Sequence, residues 1–393
     1  MEKINFECIS LTQALVKCKS ITPNDDGALK VIEDHLNTIG FKCTRLPFSE
    51  KGYDDVDNLF AKIGNSGKHI SFAGHTDVVP PGNEKSWLYP PFSGEIIDDK
   101  LYGRGAEDMK GNIACFVSAT NSFLKKYGND FKGQISFIIT GDEEKEAVNG
   151  TIKMMEWIKK NNFISDHCIV GEPTSQKVVG DKIKIGRRGS INFFLTAKGI
   201  QGHTANAHRA ENPAHILIKM LENIIETPLD DGNKFFLPTS IQVPTIDVGN
   251  PAANVIPEIA KATINIRFND IHTSESLIRW MEDKITKFFN NNSKASCTFT
   301  IDQTGESFLT KPGKLSILVA SSIKEITGQN KEPILATDGG TSDARFIKNY
   351  CEVLELGIIN NSLHQINEFV YLSDLKVLHD IYLRILEKYF KKN

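Results

Sequence analysis

The sequence of 393 residues lacks the features that mark membrane and nucleic-acid-binding proteins. No apolar run approaches the roughly 20 residues that a membrane-spanning helix needs. The 46 lysines and arginines are outnumbered by 49 aspartates and glutamates, so no excess of positive charge is available to bind a phosphate backbone. Residues 1–7 lack the apolar core of a signal peptide. These absences predict a cytoplasmic protein with neither a membrane nor a nucleic-acid partner.

Cysteine is sparse and irregularly spaced. The seven cysteines are an odd number, and no two of them form a Cys-x-x-Cys motif. Such a distribution predicts free thiols in a reducing compartment rather than a framework of disulfides. It also argues against a zinc site built from cysteines.

The order of predicted elements indicates two domains, because the chain is too long for one ordinary core. Strands alternate with helices over residues 1–181 and again over 303–393, which predicts an α/β domain with a mostly parallel central sheet. The segment 182–302 has the order strand-helix-strand-strand-helix-strand, which is typical of a ferredoxin-like α+β domain. A single strand is predicted over 182–197. We therefore expect the segment 182–302 to be inserted into a catalytic domain formed by the two flanking segments.

Histidine and acidic side chains follow successive predicted strands of the first domain. Sites in open α/β sheets form at the carboxyl ends of strands, so we expect these side chains to converge there. An aspartate in a Gly-rich turn can join them. Two imidazoles and three carboxylates suit zinc or a similar divalent ion, and five ligands exceed the needs of one tetrahedral zinc. The set predicts two ions that share a bridging carboxylate. The candidate ligands are His75, Asp108, one or other glutamate of the pair Glu143 and Glu144, Glu172 and His364.

Two further acidic groups can assist the ligands. Adjacent side chains in an extended segment point in opposite directions, so one of Glu143 and Glu144 can bind metal while the other stays free as a general base. Asp77, two residues after His75, can hold the second ring nitrogen of that histidine.

Each of these residues also has an ordinary structural explanation. A single histidine is more often structural or solvated, a Glu-Glu pair is usually a charged loop, and an aspartate in a Gly-rich turn is more often an Asx-turn residue. Their coincidence at successive strand ends favours a site. Gly103–Gly105 lacks the spacing of a Walker or Rossmann loop, so we do not interpret it as a phosphate-binding loop.

At these motifs the sequence resembles the M20 family of dinuclear zinc amidohydrolases and aminopeptidases, and the resemblance runs nearly the full length of the chain. It implies a zinc-exopeptidase-like catalytic domain with an inserted ferredoxin-like dimerisation or lid domain. The family pattern is Gly-His-x-Asp, Gly-x-x-Asp-Met-Lys-Gly, Asp-Glu-Glu, Gly-Glu-Pro and a late His. It stands here as Gly74–Asp77, Gly105–Gly111, Asp142–Glu144, Gly171–Pro173 and His364.

Other segments resemble the desuccinylase branch of this family rather than the acetylornithine deacetylase branch; among them are Gly186–Ser190, Asp338–Asp343 and His364–Glu368. The resemblance implies hydrolysis of N-succinyl-LL-2,6-diaminopimelate to succinate and LL-2,6-diaminopimelate, in lysine and diaminopimelate synthesis. The nearest alternative is another deacylase or a dipeptidase of the family, such as acetylornithine deacetylase. A second alternative is a non-catalytic metal-binding or dimeric scaffold on a hydrolase fold.

The resemblance also implies a role for each candidate ligand. Two Zn²⁺ ions would bind per chain, with Co²⁺ as a plausible substitute. Asp108 would bridge them, His75 and Glu172 would complete one site, and Glu144 and His364 would complete the other.

For catalysis, the resemblance implies that Asp77 orients His75 and that Glu143 is the general base. His203, in the inserted domain, would reach across a homodimer to polarise the amide carbonyl.

The substrate implied by the resemblance is a small polyanion, and its carboxylates and polar groups need matching partners. Arginine suits this task because it offers a bidentate fork to a carboxylate. The implied substrate-binding residues are Arg187, Ser190, Asn254, Arg267, Thr341 and Asn360.

Overall fold

The structure, a computed structural model, describes residues 7–129, 131–289 and 294–390. The chain divides into two compact units. The first unit comprises the described residues up to Ile185, Thr310–Ala336 and those from Ser342 onward. The second unit comprises Gly186–Leu309 and Thr337–Thr341.

The helices and strands are numbered in chain order. Helices α1 to α9 are Glu7–Lys17, Ala28–Thr38, Gly111–Tyr127, Thr151–Lys160, Pro213–Ile225, Ser274–Phe288, Lys314–Thr327, Ala344–Ile347 and Leu372–Phe390. Strands β1 to β10 are Lys42–Arg45, Leu59–Ile63, Lys68–His75, Glu95–Ile97, Lys100–Tyr102, Gly133–Thr140, His167–Val170, Lys182–Lys184, Gly186–Arg187 and Gly189–Lys198. Strands β11 to β19 are Gly202–His203, Ser240–Asp247, Val255–Ile256, Ile259–Phe268, Ser296–Gly305, Phe308–Leu309, Ile334–Ala336, Glu352–Glu355 and Phe369–Tyr371. Across the described residues, no helix combines the length and apolarity needed to cross a bilayer.

The first unit is built on a mixed sheet in the order β1-β2-β6-β3-β7-β18-β8-β17. Its centre is parallel: β3 pairs in parallel with β6 and β7, and β7 pairs in parallel with β18. The buried centre explains why β3, β6 and β7 are nearly continuous apolar runs. The prediction of an α/β fold with a mostly parallel central sheet is confirmed.

Aromatic side chains join this sheet to its helices. Phe72 of β3 stacks on Phe116 of α3 with ring centroids 4.5 Å apart, and Phe116 meets Tyr382 of α9 at 5.1 Å. The Tyr382 hydroxyl donates a hydrogen bond to the Leu356 carbonyl, directly after β18. The C-terminal helix is therefore attached both to the core and to the strand that precedes the late histidine.

A small antiparallel sheet of β19, β5 and β4 was not predicted. Each strand has only three residues, and Asp98 and Asp99 form the β4–β5 turn with φ of 45° and 65°. The pairing of Phe369 with Tyr102 brings the late part of the chain beside the segment that leads to the Gly-rich turn.

The second unit has the element order predicted for a ferredoxin-like domain, β10-α5-β12-β14-α6-β15. Its sheet is antiparallel in the order β12-β14-β10-β15. Alternate residues of β10, such as Ile191 and Phe193, enter one core with Leu217 of α5 and Met281 of α6. This period-two pattern leaves the opposite side chains of β10, including Phe194, outside that core.

The single strand predicted over 182–197 is wrong, because the segment forms three strands. β8 pairs with β17 in the first unit, whereas β9 pairs with β16 and β10 enters the second unit's sheet. Two glycines mark the breaks. A Cβ on Gly186 would lie 2.2 Å from the Phe308 carbonyl oxygen, and one on Gly189 would lie 2.1 Å from the Phe268 ring. Close packing therefore requires glycine at both positions.

The two adjacent phenylalanines of β10 provide a matched test of this arrangement. Phe193 is 0% exposed and Phe194 is 42% exposed. We expect Phe193→Ala to lower the free energy of unfolding by about 3–5 kcal/mol, because it leaves a cavity in the core. Phe194→Ala should change it by less than about 1 kcal/mol. Urea unfolding of both variants measures the difference, and equal losses would contradict the assignment of faces.

Candidate metal centre

The candidate ligands lie beyond the carboxyl ends of four neighbouring parallel strands. His75 ends β3, Glu144 follows β6, Glu172 follows β7, and His364 lies in the segment after β18. These strands are adjacent in the order β6-β3-β7-β18, so their carboxyl ends share one edge of the sheet. Asp108 comes from the turn before α3. The sheet topology thus brings together residues that are far apart in the sequence.

Asp108 lies between the two imidazoles. Its Oδ1 is 3.2 Å from Nε2 of His75, and its Oδ2 is 3.1 Å from Nε2 of His364. A carboxylate whose two oxygens face different nitrogen ligands is suited to bridge a pair of ions.

Three glutamates complete the cluster. Oε1 of Glu144 lies 2.9 Å from Nε2 of His364. Oε2 of Glu143 and Oε1 of Glu172 each lie 3.9 Å from Nε2 of His75. Glu143 and Glu172 thus approach His75 equally closely.

Asp77 supports this cluster in two ways. Its main-chain oxygen lies 2.9 Å from Nδ1 of His75, closer than its carboxylate Oδ1 at 3.6 Å. The carboxylate instead accepts hydrogen bonds from the backbone N–H groups of Glu143 and Glu144, at 3.1 to 3.3 Å. Asp77 therefore fixes both the ring of His75 and the loop that carries the two glutamates.

Two glycines that precede ligands make room for Met109, which follows Asp108 through a cis peptide bond. A Cβ on Gly74 would lie 2.6 Å from Cε of Met109, and one on Gly171 would lie 2.8 Å from the same atom. The glycines of the Gly-His and Gly-Glu motifs thus allow the Asp108 turn to pack against the ends of β3 and β7.

The electrostatics of the cluster favour a bound cation. Burial alone would lower the pKa of His75, but Asp108 and Glu143 hold it well above 6.5. Hydrogen bonds to Asp108 and Glu144 raise the pKa of His364 to about 10. Burial also raises the pKa of Glu143 well above 4.5, against the charge of His75. These shifts reflect a concentration of negative charge that bound metal ions can neutralise.

The donor set fits a divalent metal centre. Ligand atoms of His75, Asp108 and Glu144 lie within 4.8 Å of one another, as do those of His75, Glu143 and Glu172. Imidazole nitrogen and carboxylate oxygen are the ligands that zinc and related ions use. The cluster can therefore hold cations and activate water for hydrolysis.

Two residues beside Asp108 had no role in the sequence analysis. Arg104 pairs with Glu368, and the Glu107 carboxylate accepts hydrogen bonds from the Ser362 backbone and hydroxyl. The available signal was an Arg and a Glu that both precede the candidate ligand Asp108 in a turn otherwise rich in Gly and Ala.

Within the second unit, His203 and Asn254 are neighbours. His203 pairs with Val255 across β11 and β13, and the Asn254 carbonyl accepts a hydrogen bond from the Thr204 N–H at 3.1 Å. The Nδ1 atom of His203 accepts the N–H of Ala205 at 3.0 Å. In a neutral ring this bond places the proton on Nε2.

The other candidate substrate-binding residues of the second unit lie near the start of β10. Arg187 donates a hydrogen bond to the carbonyl of Gly340, next to Thr341. Ser190 pairs with Arg267 across β10 and β14. Burial lowers the pKa of Arg267, and the charge of Arg188 lowers it further. A concentration of positive charge at this strand end suits an anion.

The last candidate, Asn360, belongs to the first unit. It lies two residues before Ser362, and its backbone N–H donates a hydrogen bond to the carbonyl of Ser175 at 3.0 Å.

Comparison with known proteins gives matches over most or nearly all of the chain. The model of peptidase family M20/M25/M40 matches residues 71–388. A relative from Bradyrhizobium sp. (strain ORS 278), named succinyl-diaminopimelate desuccinylase, is 48% identical over 384 residues, covering 98% of this chain and 99% of the relative.

Solved structures show the same fold at low sequence identity. An M20 family metallo-carboxypeptidase from Sulfolobus solfataricus has a TM-score of 0.76 at 19% identity, covering 98% of this chain and 99% of its own. A protein from Bacillus subtilis, described as a dinuclear metal-binding peptidase of the M20 family, has a TM-score of 0.68 at 14% identity, with 98% of each chain covered.

Removal of one imidazole tests the cluster directly. We expect His364→Ala to retain about one divalent ion fewer than the unaltered chain after dialysis against zinc, because Asp108 and Glu144 lose their shared nitrogen partner. Elemental analysis of the dialysed protein measures the ratio of zinc ions to protein chains. His215→Ala, which changes an exposed histidine of the second unit, is the control and should leave the ratio unchanged. An equal ratio in His364→Ala would exclude His364 as a ligand.

Proposed function

The chain belongs to peptidase family M20/M25/M40, and we propose that it hydrolyses N-succinyl-LL-2,6-diaminopimelate. The products are succinate and LL-2,6-diaminopimelate, so the reaction serves lysine and diaminopimelate synthesis. The observation that carries this proposal is 48% identity across 98% of the chain to a relative named for this reaction. The converging imidazoles and carboxylates supply the chemistry of a metal-dependent amidohydrolase.

We propose that the centre holds two Zn²⁺ ions and accepts Co²⁺ in their place. Asp108 would be shared by both ions, and the approach of its two oxygens to different imidazoles supports this role. His75 and Glu172 would help to hold one ion, and Glu144 and His364 would help to hold the other. The short distance between Glu144 and His364 supports the second pair.

In this proposal Glu143 is the general base. Bound divalent ions would lower the pKa of water and polarise the amide carbonyl. The Glu143 carboxylate takes a proton from the attacking water and delivers it to the departing amine. The Asp77 carboxylate holds the Glu143 backbone in place by accepting a hydrogen bond from the N–H group of Glu143.

We propose that His203 donates a hydrogen bond to the carbonyl oxygen as negative charge develops there. The Ala205 N–H occupies Nδ1 of His203, which leaves the proton on Nε2 and makes that atom the donor. The partner subunit of a homodimer would supply this histidine.

The dimer proposal is supported by two features of the second unit. β12 is an edge strand of its sheet, and strand edges are sites of association. On α5, Ile218 and Ile225 are exposed, at 57% and 53%. A further element of the proposal is that this unit serves as the dimerisation and lid domain.

Substrate recognition in this proposal uses charge. Arg187 and Arg267 bind substrate carboxylates, and Ser190, Asn254, Thr341 and Asn360 bind its polar groups. The gathering of arginines at the start of β10 supports a polyanionic substrate.

We also propose that the enzyme acts in the cytoplasm. All seven cysteines are free thiols, which supports a reducing compartment.

An activity panel tests the substrate assignment. We expect the zinc-loaded protein to hydrolyse N-succinyl-LL-2,6-diaminopimelate with a higher kcat/KM than N-acetylornithine or dipeptides, because the arginines match its carboxylates. A preference for acetylornithine would overturn the substrate assignment.

Glu143→Gln should lose about 10²–10⁴-fold in kcat with little change in metal content, because it removes proton transfer but keeps the side-chain volume. Activity of Glu143→Gln near that of the unaltered enzyme would overturn the assignment of the base.

Mixing two inactive variants tests whether His203 acts across the dimer. Glu143→Gln and His203→Ala, co-expressed in one cell, form mixed dimers in which one site has both an intact Glu143 and an intact partner His203. We expect about a quarter of the unaltered activity, from one site in half of the dimers. Each variant expressed alone is the control. If the mixture shows no recovery although mixed dimers are detected, His203 does not act in trans.

A further inference from the structure

The two segments that carry Asp108 and His364 are 256 residues apart in the sequence, yet their side chains meet at 3.1 Å. His364 adopts a φ of 60°, a left-handed conformation that is uncommon outside glycine. Such a conformation persists when surrounding contacts determine it. The contacts that do so here come from charged side chains outside the ligand set.

The first contact runs from the late segment to the turn. Oε1 of Glu368 accepts the backbone N–H groups of Glu107 and Asp108, at 2.9 and 3.2 Å. The Glu368 side chain is 0% exposed, so these bonds are made without competition from water. A carboxylate four residues after His364 therefore holds the backbone of Asp108 itself.

The second contact runs in the opposite direction. Oε1 of Glu107 accepts the N–H of Asn361 at 3.0 Å, and Oε2 accepts the N–H and the hydroxyl of Ser362 at 2.8 and 2.7 Å. A carboxylate beside Asp108 therefore holds the segment that leads to His364. Each segment supplies the acceptor for the other's backbone donors.

Arg104 completes the connection. Its Nη1 donates to Oε2 of Glu368 at 2.7 Å, and its Nη2 donates to the main-chain carbonyl of His364 at 3.3 Å. The guanidinium group also lies 5.3 Å from the ring of Trp87, which covers it. One buried arginine thus neutralises Glu368 and binds the backbone of the ligand residue.

We infer that Glu107, Glu368 and Arg104 are positioning residues that set the distance between Asp108 and His364. They so determine the affinity for the ion that Glu144 and His364 would hold, which we call the second ion. We call these three residues the carboxylate clamp. Its role rests on the proposed dinuclear centre. The clamp binds the backbone of the Asp108 turn and of the segment that carries His364. Because neither His75 nor Glu172 lies on these segments, loss of the clamp should loosen the ion held by Glu144 and His364 more than the ion held by His75 and Glu172.

Metal titration of clamp variants tests this inference. Glu107→Gln and Glu368→Gln preserve side-chain volume but place an N–H₂ group where a carboxylate accepts hydrogen bonds. The zinc affinity of both sites is measured by competition with a chromophoric chelator, and the visible spectrum is recorded after loading with cobalt. We expect the second ion to bind about 10–100-fold more weakly in both variants, with an altered cobalt spectrum. The first ion should change less.

Asp230→Asn is the matched control. Asp230 lies in the second unit, and its carboxylate also joins separate backbone segments, accepting the N–H groups of Gly232 and Thr239. It should leave both metal affinities and the cobalt spectrum unchanged. Thermal unfolding of the metal-free proteins separates a general loss of stability from a specific loss of metal.

A milder variant keeps the test decisive if the glutamine variants do not fold. Ser362→Ala removes one hydroxyl donor from Glu107, and it should weaken the second ion in the same direction by a smaller factor. The inference would be overturned if the glutamine variants kept unchanged metal affinities at both sites and an unchanged cobalt spectrum. If only Ser362→Ala folds, the same result in that variant would overturn it. Either result would leave the proposed function intact. Fewer than two ions in the unaltered chain would overturn the dinuclear centre and the clamp together.

Discussion

The candidate centre depends on the parallel pairing of β6, β3, β7 and β18. Parallel strands end at the same edge, so each connection after a strand can deliver one side chain to a common point. In the sequence, the first three strands come before the segments of the second unit, and β18 comes after them. A slip of one residue in any of these pairings would turn every side chain of that strand to the other face of the sheet and displace the candidate ligand that follows it.

Each unit gathers charge of one sign. At the sheet edge of the first unit, carboxylates outnumber imidazoles, and burial raises the pKa of Asp77 to about 6 and the pKa of Glu143 well above 4.5. At the start of β10 in the second unit, Arg188 and Arg267 lie close enough for one to lower the pKa of the other. The first group suits bound cations, and the second suits the anionic substrate proposed above.

Local pattern predicted much of this architecture. Apolar runs identified the central strands, and the polar residues that follow them identified the side chains that converge at the sheet edge, because strand period and strand ends are visible in the sequence. The three-residue strands β4, β5 and β19 are too short to show a period. The break within 182–197 depends on close packing of Gly186 and Gly189 against distant residues. The bonds of Glu107 and Glu368 join segments more than 250 residues apart, which no local pattern records.

The placement of β18 has a consequence for how the protein matures. This strand lies between β7 and β8, in the middle of the main sheet, but it is synthesised after the whole second unit. A nascent chain therefore carries His75, Asp108 and Glu172 for a long interval before the strand that completes their sheet emerges. Until then the candidate ligands of the early segments are without the imidazole of His364 and the acceptor of Glu368. The proposed metal centre can therefore be completed only late in biosynthesis, once the sheet closes.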